Sequence, residues 1–273
     1  MRRSAVLVGT AAILLSSACS SGGAKKDQQS AKDNDSSAAP AAAVRAAVAA
    51  TEKSTVRIDE RVDMSGEGGS FTFGIRGGMD LAGGKGHLTT TLDGAQRGGG
   101  GATLDEVFSG GTVYFRMPEA TDGDTAWRAV PRDKVESQAL LRAPMNDPAH
   151  TLRQIAQMRS PVNAGEEKVN GTPTVHYRGR LDHDTLVLRM AAERRAKVDS
   201  MRDMLNADLP VAADAWVDKA GRLVRSRLTF DMGGTKLVAT LDFADFGKPV
   251  DTPAAPADAQ AVQPADVAGP LTG

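Results

Sequence analysis

Residues 211–246 read VAADAWVDKAGRLVRSRLTFDMGGTKLVATLDFADF. Three runs of alternating apolar and polar residues are separated there by two turn signals. In the second run Val224, Ser226, Leu228, Phe230 and Met232 alternate with Arg225, Arg227, Thr229 and Asp231. In the third, Leu237, Ala239, Leu241 and Phe243 alternate with Lys236, Val238, Thr240 and Asp242. Successive side chains of a strand point to opposite faces, so each run has one apolar and one solvated face. Residues 218–221 (DKAG) and Gly233-Gly234 supply the positive φ that tight hairpins need. A helix fits poorly, because the glycines interrupt it and threonines and valines recur. The stretch is expected to form the closing meander of one curved antiparallel sheet.

The same period recurs upstream. Val56, Ile58, Glu60, Val62 and Met64 share a face, with Glu60 as a polar intruder. Phe71, Phe73 and Ile75 follow after a turn at residues 65–69, and residues 83–86 turn the chain again before a strand at 87–92. Residues 102–109 and 112–117 form the next pair, with Val113, Phe115 and Met117 on one face. In the middle of the chain, residues 131–141 and 147–158 read as helices, the second started by Asp147. Asn170-Gly171 marks a hairpin. A longer helix, capped by Asp182 or Asp184, is expected to run to about Asn206 with a seam of Val187, Met190, Val198, Met201 and Leu205.

The chain has 273 residues and a net charge of −1, which suits one domain with tails. Near-neutral charge excludes nucleic acid as a main partner, and 4% aromatic residues leave little for base stacking. Cys19 stands alone, so no intramolecular disulfide can form and the fold rests on its packed core. Residues 1–18 carry Arg2-Arg3, an apolar run and a small-residue end, which is a secretory signal too short to span a membrane. With Cys19 directly after it, the signal resembles that of bacterial lipoproteins, whose cysteine becomes the acylated first residue. Ser16 stands where that pattern prefers leucine. Residues 19–42 then read as a flexible tether, 43–250 as the folded domain with a helix from Pro40 to Thr51, and 251–273 as a disordered Pro/Ala-rich tail.

No catalytic spacing emerges. The four histidines form no HExxH pair, no GxSxG elbow is present, and Gly83-Gly84-Lys85-Gly86 lacks Walker spacing. His176, Asp182, His183 and Asp184 are close in sequence, but His176 lies on a polar strand face and reads as solvated structure rather than a metal ligand. No enzyme activity, cofactor or metal is expected.

Residues 169–179 (VNGTPTVHYRG), 216–225 (WVDKAGRLVR) and 241–250 (LDFADFGKPV), in this order and spacing, resemble the LppX/LprAFG family of actinobacterial lipoproteins, which have a LolA-like fold. The resemblance covers about residues 43–250. It implies an α+β fold: a strongly curved antiparallel sheet, a half-barrel, with helices covering its concave face. It further implies that acyl chains of envelope lipids or lipoproteins are held between the two layers, on the extracytoplasmic face of the cell membrane. Expected partners are then the membrane through acylated Cys19, an acylated lipid or lipoprotein, and an envelope transporter. The cavity candidates are Val56, Ile58 and Val62; Phe71, Phe73 and Ile75; Phe115; Leu228 and Phe230; Leu237, Leu241 and Phe243; and, on the lid, Met201 and Leu205. A loosely covered apolar face accepts hydrocarbon, and burying about sixteen carbons is worth on the order of 10 kcal/mol gross. The alternative is a regulatory or interaction lipoprotein whose fold has a filled core and no lipid ligand.

Overall fold

A computed structural model describes residues 27–67, 69–93, 102–118, 124–267 and 269–273. Its framework is one 12-stranded sheet made of two meanders. The first runs β1 (Thr55–Gly66), β2 (Gly69–Asp80), β3 (Lys85–Asp93), β4 (Ala102–Ser109), β5 (Thr112–Arg116) and β6 (Arg128–Pro131). The second runs β7 (Arg159–Val169), β8 (Thr172–Arg180), β9 (Val211–Asp218), β10 (Leu223–Met232) and β11 (Thr235–Ala244). They join where β1 pairs with β11, Ile58 opposite Phe243 and Val62 opposite Ala239. The order is β12-β6-β5-β4-β3-β2-β1-β11-β10-β9-β8-β7, in which β12 (Gln260–Ala261) adds a short parallel pairing to β6. With β12 and β7 as its two edges, the sheet is curled and open.

Sequence parity decides what each strand buries. Val56, Ile58, Glu60 and Val62 of β1 turn inward, together with Phe73 and Ile75 of β2 and Leu228, Phe230, Leu237, Leu241 and Phe243 of the closing meander. Outward residues pair across strands, as Arg225 does with Asp242 at 2.5 Å. Close approach of β2 to β3 requires Gly77, where a Cβ would stand 2.0 Å from the His87 carbonyl oxygen. At β10 the parity is interrupted. A register shift between Leu223 and Arg225 leaves Leu223 in the inner core and puts Val224, expected inward, into a small outer cluster with Val169 and Trp216.

Among the described residues, four α-helices complete the fold: α1 (Asp27–Thr51), α2 (Pro148–Ala156), α3 (His183–Leu186) and α4 (Ala192–Leu205). α1 buries Val44, Ala47 and Val48 and packs on α2, β7, β9 and β10. The buried Thr51 hydroxyl at its end accepts from Leu223 N at 3.0 Å. Asp147 caps α2, accepting from Ala149 N at 3.0 Å. Among the described residues no helix is long and apolar enough to cross a membrane.

Four expectations change. α1 spans Asp27–Thr51 and so covers part of the segment read as tether; its alanines and long polar residues suit a helix, and Pro40 removes only one backbone donor. Residues 131–141 form no helix, because their polar groups bond elsewhere: Ser137 N to Arg189 O and Gln138 N to Gly273 O. The long helix from Asp182 is broken between α3 and α4, where Arg189 adopts a φ of 53°. Residues 251–273, expected to be disordered, follow the sheet edge at β12 and bury Val267 and Leu271 in the main core. A Pro/Ala-rich composition hid these two anchors. Cys19 and the signal segment lie outside the described residues.

Candidate functional site

Eleven of the fourteen cavity candidates are buried in one cluster. Met201 is partly buried and packs against that cluster. Phe71 and Leu205 do not belong to the enclosed wall, being 43% and 44% exposed. Phe71 sits by the β1–β2 hairpin end, opposite Met64 and past the covering segment. Leu205 ends α4, a helix that turns only Val198 fully inward.

The helices cover the β7–β9–β10 part of the inner face. Over β1–β4 the cover is built from residues 132–147 and the C-terminal strap, residues 262–267 and 269–273. The covering segment is bent tightly, with Leu141, Met145 and Asn146 at φ of 57°, 49° and 50°. Such left-handed backbone in non-glycine residues is held by its surroundings. Arg132 ties the two ends of this segment together through two bonds to Asp147, at 2.8 and 2.6 Å. Burial alone would raise the Asp147 carboxyl, but the Arg132 bonds and charge and the Ala149 amide hold it below its usual range. Met145 N donates to Thr272 O at 2.7 Å, which fastens the segment to the strap.

Between cover and wall lies a polar cluster with two carboxyls. Glu106 of β4 is fully buried; its Oε2 accepts from Thr90 Oγ1 at 3.1 Å and from Asn146 Nδ2 at 2.9 Å. Its Oε1 has no hydrogen-bond partner among the described residues. Burial pushes this carboxyl up to about 8, against the lowering effect of those two bonds and of Arg142. Glu60 is raised by burial to about 7, opposed by the charge of Arg142. Arg142 is itself buried, lies 4.1 Å over the Phe73 ring, and donates to Asn146 Oδ1 at 2.7 Å. Burial lowers its affinity for a proton, and the two glutamates offset this.

Beside Arg142 a recess of about 400 Å³ opens between the wall residues Met64 and Phe73, the cover, Arg194 and the strap. Glu60 was legible as an intruder on an apolar strand face. Glu106 carries the same signal between Leu104 and Phe108, and reading it so would have found it. Arg142 and Asn146 lie in irregular chain and leave no periodic mark.

The histidines have structural surroundings. His176 is buried rather than solvated, on the outer face. It stacks on Trp216 at 4.4 Å, with Nε2 2.6 Å from Asp214 and Nδ1 3.0 Å from Glu167. His183 Nε2 lies 2.8 Å from Asp199.

No protein-family model matches the chain, and no curated protein does. Among solved structures it is similar to LprF from Mycobacterium bovis, with a TM-score of 0.47 and 14% identity over 80% of this chain and 98% of that one. It is similar to lipoprotein LppX of Mycobacterium tuberculosis, with a TM-score of 0.41 and 13% identity over 79% and 98%. A putative outer membrane lipoprotein-sorting protein domain from Vibrio parahaemolyticus follows at 0.29 and 11%, over 76% and 90%. LprF and LppX match the family that the sequence resembles.

Proposed function

We infer that the chain is an extracytoplasmic lipoprotein that binds acyl chains of envelope lipids or lipoproteins against the inner wall of its sheet and carries or presents them. The observation that supports this reading is the recess of about 400 Å³ between the apolar wall and an irregular cover, floored by Met64 and Phe73. Its volume falls within the ~300–1,000 Å³ usual for small-molecule sites. The wall behind it is hydrocarbon apart from Glu60, Thr90, Glu106 and Ser226. A chain entering there gains about 0.8 kcal/mol per buried methylene. Acylation of Cys19 would keep the protein at the membrane surface, where acyl ligands reside. Binding of this kind uses no covalent chemistry and no metal.

The filled-core alternative is favoured by one observation: most of the candidate lining is packed side chain against side chain. The two readings part in a direct experiment. Protein purified gently from its own membranes is examined by native mass spectrometry, and the delipidated protein is titrated with a dansyl-labelled fatty acid. A bound acyl species and saturable dye uptake are expected. A clean unliganded mass together with no dye uptake would leave the filled core as the better reading.

A further inference from the structure

The strap presents an unusual pair of groups to the wall. The Leu271 side chain is buried in the main core, and its backbone carbonyl points at two side-chain donors. Asn146 Nδ2 lies 2.8 Å from Leu271 O, and Arg142 Nη2 lies 3.4 Å from it. The donors are fixed from behind. Asn146 also donates to Glu106 Oε2 and accepts from Arg142, and Arg142 rests on the Phe73 ring. A carbonyl oxygen on two fixed donors, with an aliphatic branch buried beside it, is the pattern that a fatty-acyl ester or amide would also present. The recess adjoins this point, lined by Arg142 and Phe73 on one side and Gly269, Pro270 and Gly273 on the other.

We propose that Arg142 and Asn146 form a subsite for the carbonyl of an acyl ester or amide, and that Leu271 fills it until such a ligand displaces the strap. This rests on the acyl-binding reading above. It assigns a role to an otherwise costly arrangement. Two donors kept under an apolar wall need an acceptor in both states, and the strap supplies one when the ligand is absent. The strap is suited to leaving. Between β12 and the core it is anchored by Val267 and Leu271, and its other contacts to the cover are backbone bonds, Met145 N to Thr272 O and Gln138 N to Gly273 O, both 2.7 Å. Gly273 is closely fitted, since a Cβ there would stand 2.0 Å from the Ala143 carbonyl oxygen.

The full chain is tested by displacement of a dansyl-labelled fatty acid with three probes: methyl palmitate, N-methylpalmitamide and hexadecane, which has no carbonyl. Either carbonyl probe should compete roughly tenfold better than hexadecane, the worth of one or two well-made hydrogen bonds. The ester ahead points to a lipid source, and the amide ahead to an acylated amine. N146A should bring the ratio close to one. L271D should tighten binding of both carbonyl probes several-fold. Should a variant fail to fold, the unaltered protein still decides. Adding methyl palmitate should speed hydrogen exchange at the Met145 and Gln138 amides, which the strap protects. Equal competition by all three probes, a ratio insensitive to N146A, or unchanged exchange on binding would overturn the subsite while leaving acyl binding intact. Failure of the unaltered protein to take up any probe would remove both.

Discussion

Asn146 Nδ2 donates to Glu106 Oε2 at 2.9 Å, joining an irregular covering segment to the middle of a β-strand. The bond links the charge state of the wall to the seating of the cover. Glu106 and Glu60 have carboxyls raised to about 8 and about 7, from an ordinary 4.5. A raised carboxyl keeps its proton in the folded protein after the unfolded chain has lost it. Its contribution is therefore full below pH 4.5 and is lost as pH rises through the folded value. His150 is lowered to about 4 by burial and by Arg153 and Arg189, so it opposes this trend below its ordinary 6.5 and adds nothing above. Unfolding free energy should then fall between pH 6.5 and 8.5. In E106Q the fall should be clearly shallower, measured by urea denaturation at half-unit steps. An equal slope in E106Q would remove Glu106 from this account.

Arg132 and Asp147 form a two-bond pair that also caps α2. The aspartate is nearly inaccessible and the arginine is well shielded. Removing one partner leaves the other buried without its counter-charge. D147A should cost about 3–5 kcal/mol, combining the broken pair with the lost cap. D133A, at an exposed neighbour, should stay within about 0.5 kcal/mol by the same denaturant measurement.

Phe71 and Phe73 occupy the same sequence face, two residues apart, yet the structure separates them. Phe73 is in the core under Arg142, and Phe71 is solvent-facing. F73A should destabilise by about 3–5 kcal/mol. F71A should cost clearly less than F73A, since 43% of the Phe71 surface stays in water on folding. Parallel thermal melts of the two variants check the contrast.

The contrast also shows what the sequence could and could not convey. Alternation placed Val56, Ile58, Val62, Leu228, Leu237 and Leu241 on the inner face, because period two is a local property of each strand. The joining of β1 to β11 pairs residues about 180 positions apart, as Ile58 and Phe243, and no local signal encodes it. Phe71 carries the right parity but lies outside the area that the cover shelters, and the extent of a cover is a tertiary fact. Val224 was misassigned because one bulge reverses parity without changing composition. Arg142, Asn146 and Leu271 belong to non-periodic chain, where a residue's partner is set by the path of the segment. Glu106 is the exception among the missed residues: its position between Leu104 and Phe108 marks it as inward as clearly as Glu60 is marked.

Curling of the wall itself is open to test at Gly77. Residues in β2 and β3 approach so closely there that a methyl group would stand 2.0 Å from His87 O and 3.0 Å from Leu88 Cα. Both neighbours are backbone, so no side chain can move aside to make room. G77A must either widen the β2–β3 ladder or shift its register, and Leu88 and Phe73 are both inward residues of those strands. A register shift by one residue would turn an apolar row toward solvent. The expected result is a loss of several kcal/mol and faster hydrogen exchange along β2 and β3, with the β8–β9 pairing unaffected. G74A is the internal control: it lies in the same strand, and its added methyl would meet only the Thr91 hydroxyl, at 3.1 Å. If G77A and G74A cost the same, close backbone approach is not what holds this part of the sheet in its curve.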